Sequence, residues 1–145
     1  MACEAPDRVA GIMNFAGSTF VDPAKCSVGA PVHILDIHGT LDETILYEGN
    51  PNPPGPNNGG YPSAIERAER WAARAGCDVD SPGVGASLDL VGNPRGEETD
   101  VLQWSDGCTS EKDVSLWTMN GVGHIPAMGD GFHNNVVPWL LSRTR

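Results

Sequence analysis

The chain has little of the positive charge that nucleic acids and anionic membranes require. Among its 145 residues nine are Lys or Arg and 19 are Asp or Glu, so the net charge is −10. Two of the nine are lysines, Lys25 and Lys112. Phosphate backbones and acidic lipid surfaces are bound by clusters of Lys and Arg, and the sequence contains none. We therefore expect neither a nucleic acid nor a membrane as a partner.

Long apolar runs, repeats and interdomain linkers are also absent. A transmembrane helix needs about 18 consecutive apolar residues, and no such run occurs. The length suits one domain, 1–145, although complete large α/β domains often have roughly 200–250 residues. A single domain is therefore predicted.

The cysteine spacing excludes two common motifs. No CxxC pair occurs, which argues against a zinc site or a thioredoxin motif. An even number of cysteines favours two disulfides and hence a secreted or periplasmic protein; the alternative is four buried free thiols in the cytoplasm. The first residues, MACE, do not form a signal peptide, so we expect the natural amino terminus to lie elsewhere. The four cysteines are Cys3, Cys26, Cys77 and Cys108.

A short apolar stretch at 32–38 is the centre of the predicted fold. Its β-favouring residues predict a buried strand that ends at a His-Gly turn, with Asp42 just beyond. A second strand is predicted at 8–16, buried on both faces. Strands at 99–105 and 114–119 are predicted to form an antiparallel pair at the sheet edge. The Pro-, Gly- and Asn-rich segment within 41–60 is either a binding loop or a mobile insertion.

Two helices complete the predicted elements. Ser63 and Glu66 form a capping box, and Gly76 ends the first helix. A terminal helix is predicted at 134–142, with His133 ordering its first turn. The polar face of the first helix comprises Glu66, Arg67, Glu69, Arg70 and Arg74.

Asp42 and His124 are the candidate catalytic residues. Both lie in glycine-containing loops after predicted neighbouring strands, where side chains converge on the crevice of an α/β sheet. A carboxylate bonded to an imidazole fixes its tautomer and stabilises the imidazolium that forms when the base takes a hydroxyl proton. Taken alone, each residue is more often structural.

These loops carry a family resemblance. The motif HGTLD at 38–42, with Tyr47 after it, and GVGH at 121–124 resemble the acid and histidine motifs of secreted α/β-hydrolase esterases. The esterases that they resemble are of the polyhydroxybutyrate depolymerase and feruloyl or acetylxylan esterase type. Residues 2–8 resemble the end of the helix after the nucleophile elbow, 9–17 the next strand, and 61–77 the following helix. The resemblance implies an α/β protein: a partial α/β-hydrolase fold, its carboxyl-terminal half, with the last strands of a mostly parallel sheet and flanking helices.

The resemblance also implies residue roles. Asp42 would be the triad acid and His124 the general base, acting on a small or polymeric ester without a cofactor. Thr40 and Tyr47 are predicted to contact the substrate. The implied disulfides are Cys3–Cys26 and Cys77–Cys108.

The chain departs from this family at the nucleophile. No G-x-S-x-G turn occurs, and the oxyanion-hole loop would lie further upstream. Met1 would fall inside the helix after the elbow, so we expect the natural start to lie upstream. Ser18, which follows the strand next to the missing elbow strand, is a candidate surrogate nucleophile; such hydroxyls more commonly bond nearby backbone groups.

Two functional hypotheses follow. The first is a serine-type carboxylic ester hydrolase for feruloyl, acetyl or hydroxyalkanoate esters. The alternative is an inactive truncated hydrolase that only binds or self-associates. Loss of a neighbouring strand would expose the edge of the strand bounded by Val9 and Ala16, so self-association through it is predicted.

One apparent metal motif is set aside. His33, Asp36 and His38 have ligand-like spacing. Side chains alternate along a strand, however, so His33 should lie on the face opposite the other two. No metal site is predicted there.

Overall fold

A computed structural model describes residues 1–26, 29–52 and 59–144. The part of the predicted loop at 53–58 lies outside the described residues. Within the described ranges, no helix has both the length and the hydrophobicity of a transmembrane span. The described elements are β1 (Gly11–Phe15), β2 (His33–Gly39), α1 (Ala64–Ala75), β3 (Gly83–Val84), β4 (Thr99–Trp104), β5 (Val114–Met119) and α2 (Asp130–Leu141), with one-turn 3-10 helices at Pro6–Arg8 and Pro23–Cys26.

The described strands form one mixed sheet in the order β1-β2-β5-β4-β3. β1, β2 and β5 are parallel, whereas β5, β4 and β3 are antiparallel. The predicted antiparallel pairing of β4 with β5 is confirmed, although β5 lies inside the sheet rather than at its edge. The α/β class is therefore correct, and the sheet is mixed rather than mostly parallel.

β2 is the buried centre of the sheet, with all seven of its residues buried. Leu35 and Ile37 pack in the apolar cluster that includes α2, and Ile34 packs in the cluster that includes α1. Side chains alternate between faces along a strand, so Asp36 and His38 share the α1 face with Ile34. A strand covered on both faces needs the near-continuous apolar sequence that predicted it.

α1 begins and ends where the sequence predicts. Ser63 Oγ accepts a hydrogen bond from the Glu66 amide at 3.1 Å, and Gly76 ends the helix with φ +73°. The prediction that Arg67 lies on the polar face is wrong, because Arg67 is 2% exposed. Its side chain extends from α1 to Asp36 on β2, and this buried carboxylate supplies its counter-charge.

Two other predicted elements need correction. β1 is half-buried rather than buried on both faces, because among the described strands it pairs with β2 alone and forms an edge. α2 begins at Asp130 rather than at 134, so His133 lies inside the helix and is exposed. Gly131 by itself favours a loop. In the structure it lies in the first turn of α2, where a Cβ would lie 1.8 Å from the Asp89 carbonyl oxygen, so the helix packs closely against the backbone of residue 89.

Both disulfides are present, and they join Cys3 to Cys26 and Cys77 to Cys108. The first ties the amino-terminal turn to the 3-10 helix at Pro23–Cys26. The second ties the end of α1 to the loop between β4 and β5. The pairing is the one that the family resemblance implies.

Candidate active site

The carboxyl ends of β2 and β5 bring Asp42 and His124 together. The two strands are parallel neighbours, and the loops that follow them lie at the same edge of the sheet. His124 Nδ1 and Asp42 Oδ2 are 2.8 Å apart, although the residues are 82 positions apart in sequence. The structure therefore contains the acid–histidine contact that the chemistry of a histidine base needs.

One backbone–backbone and one backbone–side-chain hydrogen bond hold the two loops against each other. The Leu41 amide donates to the Val122 carbonyl at 2.9 Å, and the Gly121 amide donates to Thr40 Oγ1 at 2.9 Å. Gly39 lies at their closest approach: a Cβ there would lie 2.2 Å from the Val122 carbonyl oxygen. Only glycine allows the two backbones to come this close.

Asp42 is buried, and its carboxylate is well hydrogen-bonded. Its Oδ1 accepts the amides of Thr44 at 2.8 Å and Ile45 at 2.9 Å, in addition to the His124 contact at Oδ2. Burial alone raises the pKa of this carboxyl group, but the hydrogen bonds from His124, Ile45 and Thr44 outweigh it, so the pKa lies below its ordinary value. Asp42 is therefore an ionised acceptor near neutral pH.

The Asp42 carboxylate determines the tautomer of His124. A carboxylate can accept but not donate a hydrogen bond, so His124 Nδ1 carries the proton and the neutral ring has its lone pair at Nε2. The His124 side chain is 33% exposed, and Nε2 makes no hydrogen bond with a described residue. The pair thus presents a base whose proton-accepting atom has no protein partner in the described part of the chain.

No protein-family model and no curated protein matches the chain. The choice of a function therefore depends on the chemistry of the Asp42–His124 pair and of the residues around it.

A buried polar network lies behind the pair, and sequence reasoning did not predict it. Arg67 contacts Asp36 through Nε and Nη2, and the Nη2–Oδ1 distance is 2.9 Å. The same Nη2 donates to His38 Nδ1 at 3.0 Å. Asn14 Nδ2 donates to Asp36 Oδ1 at 3.0 Å. The signal available in the sequence is Asp36 itself, since a carboxylate on a buried strand requires a cation or several donors.

Ser18, the candidate surrogate nucleophile, lies at the carboxyl end of β1 and is exposed. Its Oγ accepts a hydrogen bond from Arg67 Nη1 at 3.3 Å. No hydrogen bond joins Ser18 to His124, both of which are described. The structure thus links Ser18 to the network behind the pair rather than to the base.

The two predicted substrate contacts have protein partners of their own. Tyr47 lies 2.8 Å from Thr118 Oγ1 through its hydroxyl group and packs edge-on against His38. Burial raises the pKa of the Tyr47 hydroxyl group. Thr40 accepts the Gly121 amide, as described above. Contact of either residue with a substrate stays a prediction.

His33 and Asp36 lie on opposite faces of β2. His33 contacts Asp113, whose carboxylate also accepts Arg143 Nη1 at 2.8 Å, whereas Asp36 faces Arg67. Strand alternation thus separates the residues of the apparent metal motif. Among the described residues, no group of three His, Cys, Asp or Glu side chains is arranged to hold a metal ion.

Proposed function

We propose that Asp42 and His124 are the acid and general base of a serine-type carboxylic ester hydrolase. The observation that carries the proposal is the 2.8 Å contact between a buried carboxylate and a partly exposed imidazole. Asp42 would hold the Nδ1–H tautomer, and Nε2 would take the proton of a hydroxyl nucleophile and return it to the leaving alcohol. The motifs at 38–42 and 121–124 favour feruloyl, acetyl or hydroxyalkanoate esters, through their resemblance to secreted α/β-hydrolase esterases.

The hydroxyl group that His124 would activate is either Ser18 or a serine outside residues 1–145. No G-x-S-x-G turn occurs in these residues. Ser18 is exposed at the end of β1, two strands from β5 in the sheet, so it would have to approach His124 by movement of its loop. Two disulfides also favour an oxidising compartment, secreted or periplasmic.

The test is hydrolysis of p-nitrophenyl acetate by the 145-residue chain and by two histidine variants. His124→Gln removes the proposed base, and His133→Gln removes an exposed histidine of α2 as the matched control. With Ser18 as the nucleophile, we expect activity above background in the unsubstituted 145-residue chain and in His133→Gln, and loss of at least about 100-fold in His124→Gln. Equal rates above background in all three proteins would exclude His124 as the base.

A serine-directed phosphonate identifies the nucleophile in the same proteins. Labelling that disappears in Ser18→Ala assigns the role to Ser18. A chain that neither hydrolyses the ester nor becomes labelled would favour the alternative, a non-catalytic hydrolase remnant.

Self-association through β1 is one of the two properties that this alternative allows, the other being binding of a ligand. β1 is an edge strand in the described sheet and is half-buried along its length, and unpaired edges recruit other strands. We propose a dimer in which β1 of one copy pairs with β1 of a second copy. Sedimentation at high protein concentration would show it, and replacement of Met13 by Lys on this strand should shift the distribution to monomer. A monodisperse monomer in the natural protein would contradict the proposal.

A further inference from the structure

The loop that carries Asp42 (the acid loop, residues 40–46) contacts a second imidazole besides His124, that of the fully buried His38. Both rings lie next to Asp42 Oδ2. We propose that His38 and Arg67 are positioning residues that hold Asp42 in place for His124. The catalytic meaning of this assignment depends on the proposed function, whereas the structural role itself can be tested without any activity.

Arg67 determines which nitrogen of His38 carries the proton. The guanidinium group can only donate hydrogen bonds, and its Nη2 lies 3.0 Å from His38 Nδ1. Nδ1 must therefore accept, and the proton of the neutral ring lies on Nε2. Arg67 is itself held by its two contacts with Asp36, so the direction of its donor is fixed by β2.

The Nε2–H group of His38 closes the acid loop. It donates to the Ile45 carbonyl oxygen at 2.7 Å and lies 3.2 Å from Asp42 Oδ2. The amide of the same residue, Ile45, donates to Asp42 Oδ1 at 2.9 Å. Ile45 is thus held on both sides of its backbone, and the carboxylate keeps one orientation toward His124.

The opposite tautomer would disrupt this arrangement. With the proton on Nδ1, His38 would present a hydrogen to the donor Arg67 and a lone pair to both the Ile45 carbonyl and the Asp42 carboxylate. These contacts would be repulsive in a buried, low-dielectric site. The loop would then have to move, and a displacement of about 1 Å can cost about 100-fold in rate.

The first test is the tautomer of His38 in the unsubstituted 145-residue chain, measured from the nitrogen shifts of its imidazole ring by NMR near neutral pH. We expect the Nε2–H form. Finding the Nδ1–H form or a doubly protonated ring would overturn the proposal, and no variant has to fold for this measurement to decide.

The second test follows the His124 Nδ1–H proton, whose downfield NMR signal reports the bond to Asp42. His38→Met removes the donor, whereas His38→Gln keeps an N–H donor on a side chain of similar length. We expect the signal to broaden or disappear in His38→Met and to persist in His38→Gln, with kcat falling about 10- to 100-fold in the first variant alone. His33→Met, which removes a buried histidine from the opposite face of β2, is the control and should leave the signal unchanged.

An unchanged His124 signal in folded His38→Met would refute the positioning role. Failure of the 145-residue chain to hydrolyse the ester, with the tautomer and the signal as expected, would instead refute ester hydrolysis by His124 with Ser18 and leave the positioning role unaffected.

Discussion

Two acid–histidine pairs join the same two strands at opposite ends. Asp42 and His124 follow β2 and β5 at their carboxyl ends, whereas His33 begins β2 and Asp113 precedes β5 at their amino ends. In each pair the carboxylate contacts the Nδ1 atom of the imidazole. The contact alone therefore does not identify a catalytic site.

The surroundings distinguish the pairs. Asp113 also accepts Arg143 Nη1 at 2.8 Å, and the His33 and Asp113 side chains are 8% and 12% exposed. No Arg or Lys of the described residues forms an ion pair with Asp42, and the His124 side chain is 33% exposed. The His33–Asp113 pair is thus neutralised and closed, which suits a structural role, whereas the Asp42–His124 pair leaves the imidazole partly exposed to solvent.

Asparagine substitutions at the two carboxylates should give the largest contrast. In Asp42→Asn the amide oxygen keeps the Oδ1 position, which accepts the Thr44 and Ile45 amides, so an NH2 donor faces His124 Nδ1 in place of the acceptor. The His124 tautomer is then reversed, and ester hydrolysis should fall by about 10⁴-fold. Asp113→Asn should leave the rate nearly unchanged while lowering stability. The measurement is kcat for a chromogenic ester at a temperature where both variants are folded. Comparable losses in the two variants would remove the distinction between the pairs.

A substitution at Gly39 tests the close contact between the loops that carry Asp42 and His124. Gly39→Ala places a methyl group against the Val122 carbonyl oxygen, so we expect the free energy of unfolding to fall by about 3 kcal/mol, an overpacking effect. Gly123→Ala is the matched control, because its Cβ would lie 3.8 Å from the nearest atom, the Leu41 carbonyl oxygen. Denaturant unfolding measures both. A Gly39→Ala protein as stable as Gly123→Ala would mean that the two backbones are not in close contact.

Local sequence signals predicted the elements that depend on local physics. The apolar stretch of β2 and the capping of α1 by Ser63 and Gly76 are such signals, and both are present. Loops after parallel neighbours meet at one edge, so Asp42 and His124 were also accessible to sequence reasoning. These predictions require periodicity and topology but no knowledge of side-chain partners.

The buried network was not predicted, because it depends on partners that are distant in sequence. An arginine on a helix is normally solvated, and Arg67 becomes buried because Asp36, 31 positions earlier, accepts it. The predicted start of α2 at 134 is wrong for a related reason, since Gly131 packs against the Asp89 backbone. In both places a tertiary contact overrides the local preference of the residue.

Substitution of Arg143 tests whether the His33–Asp113 pair stabilises the fold. Arg143→Met leaves the Asp113 carboxylate without its guanidinium partner, so we expect the free energy of unfolding to fall by about 1–2 kcal/mol. Arg95→Met, at an exposed arginine, should change stability by less than about 0.5 kcal/mol. Thermal or denaturant unfolding of both variants measures the difference. Equal stabilities of the two variants would show that Arg143 does not contribute to the stabilising role of the His33–Asp113 pair.

The smallest expected effect is the part of the pH dependence of protein stability that arises from Asp42. Hydrogen bonds lower the pKa of Asp42 in the folded protein, so the folded state binds fewer protons than the unfolded state between the two pKa values. The stabilising contribution is complete above the unfolded value, about 4, and is lost as pH falls through the folded value. The stability of the natural protein relative to Asp42→Asn should therefore decrease between pH 5 and pH 2. A stability difference that does not change with pH would mean that Asp42 is not held as an anion. Its contact with His124 would then resemble an ordinary neutral hydrogen bond rather than the ion-stabilising contact that a catalytic base requires.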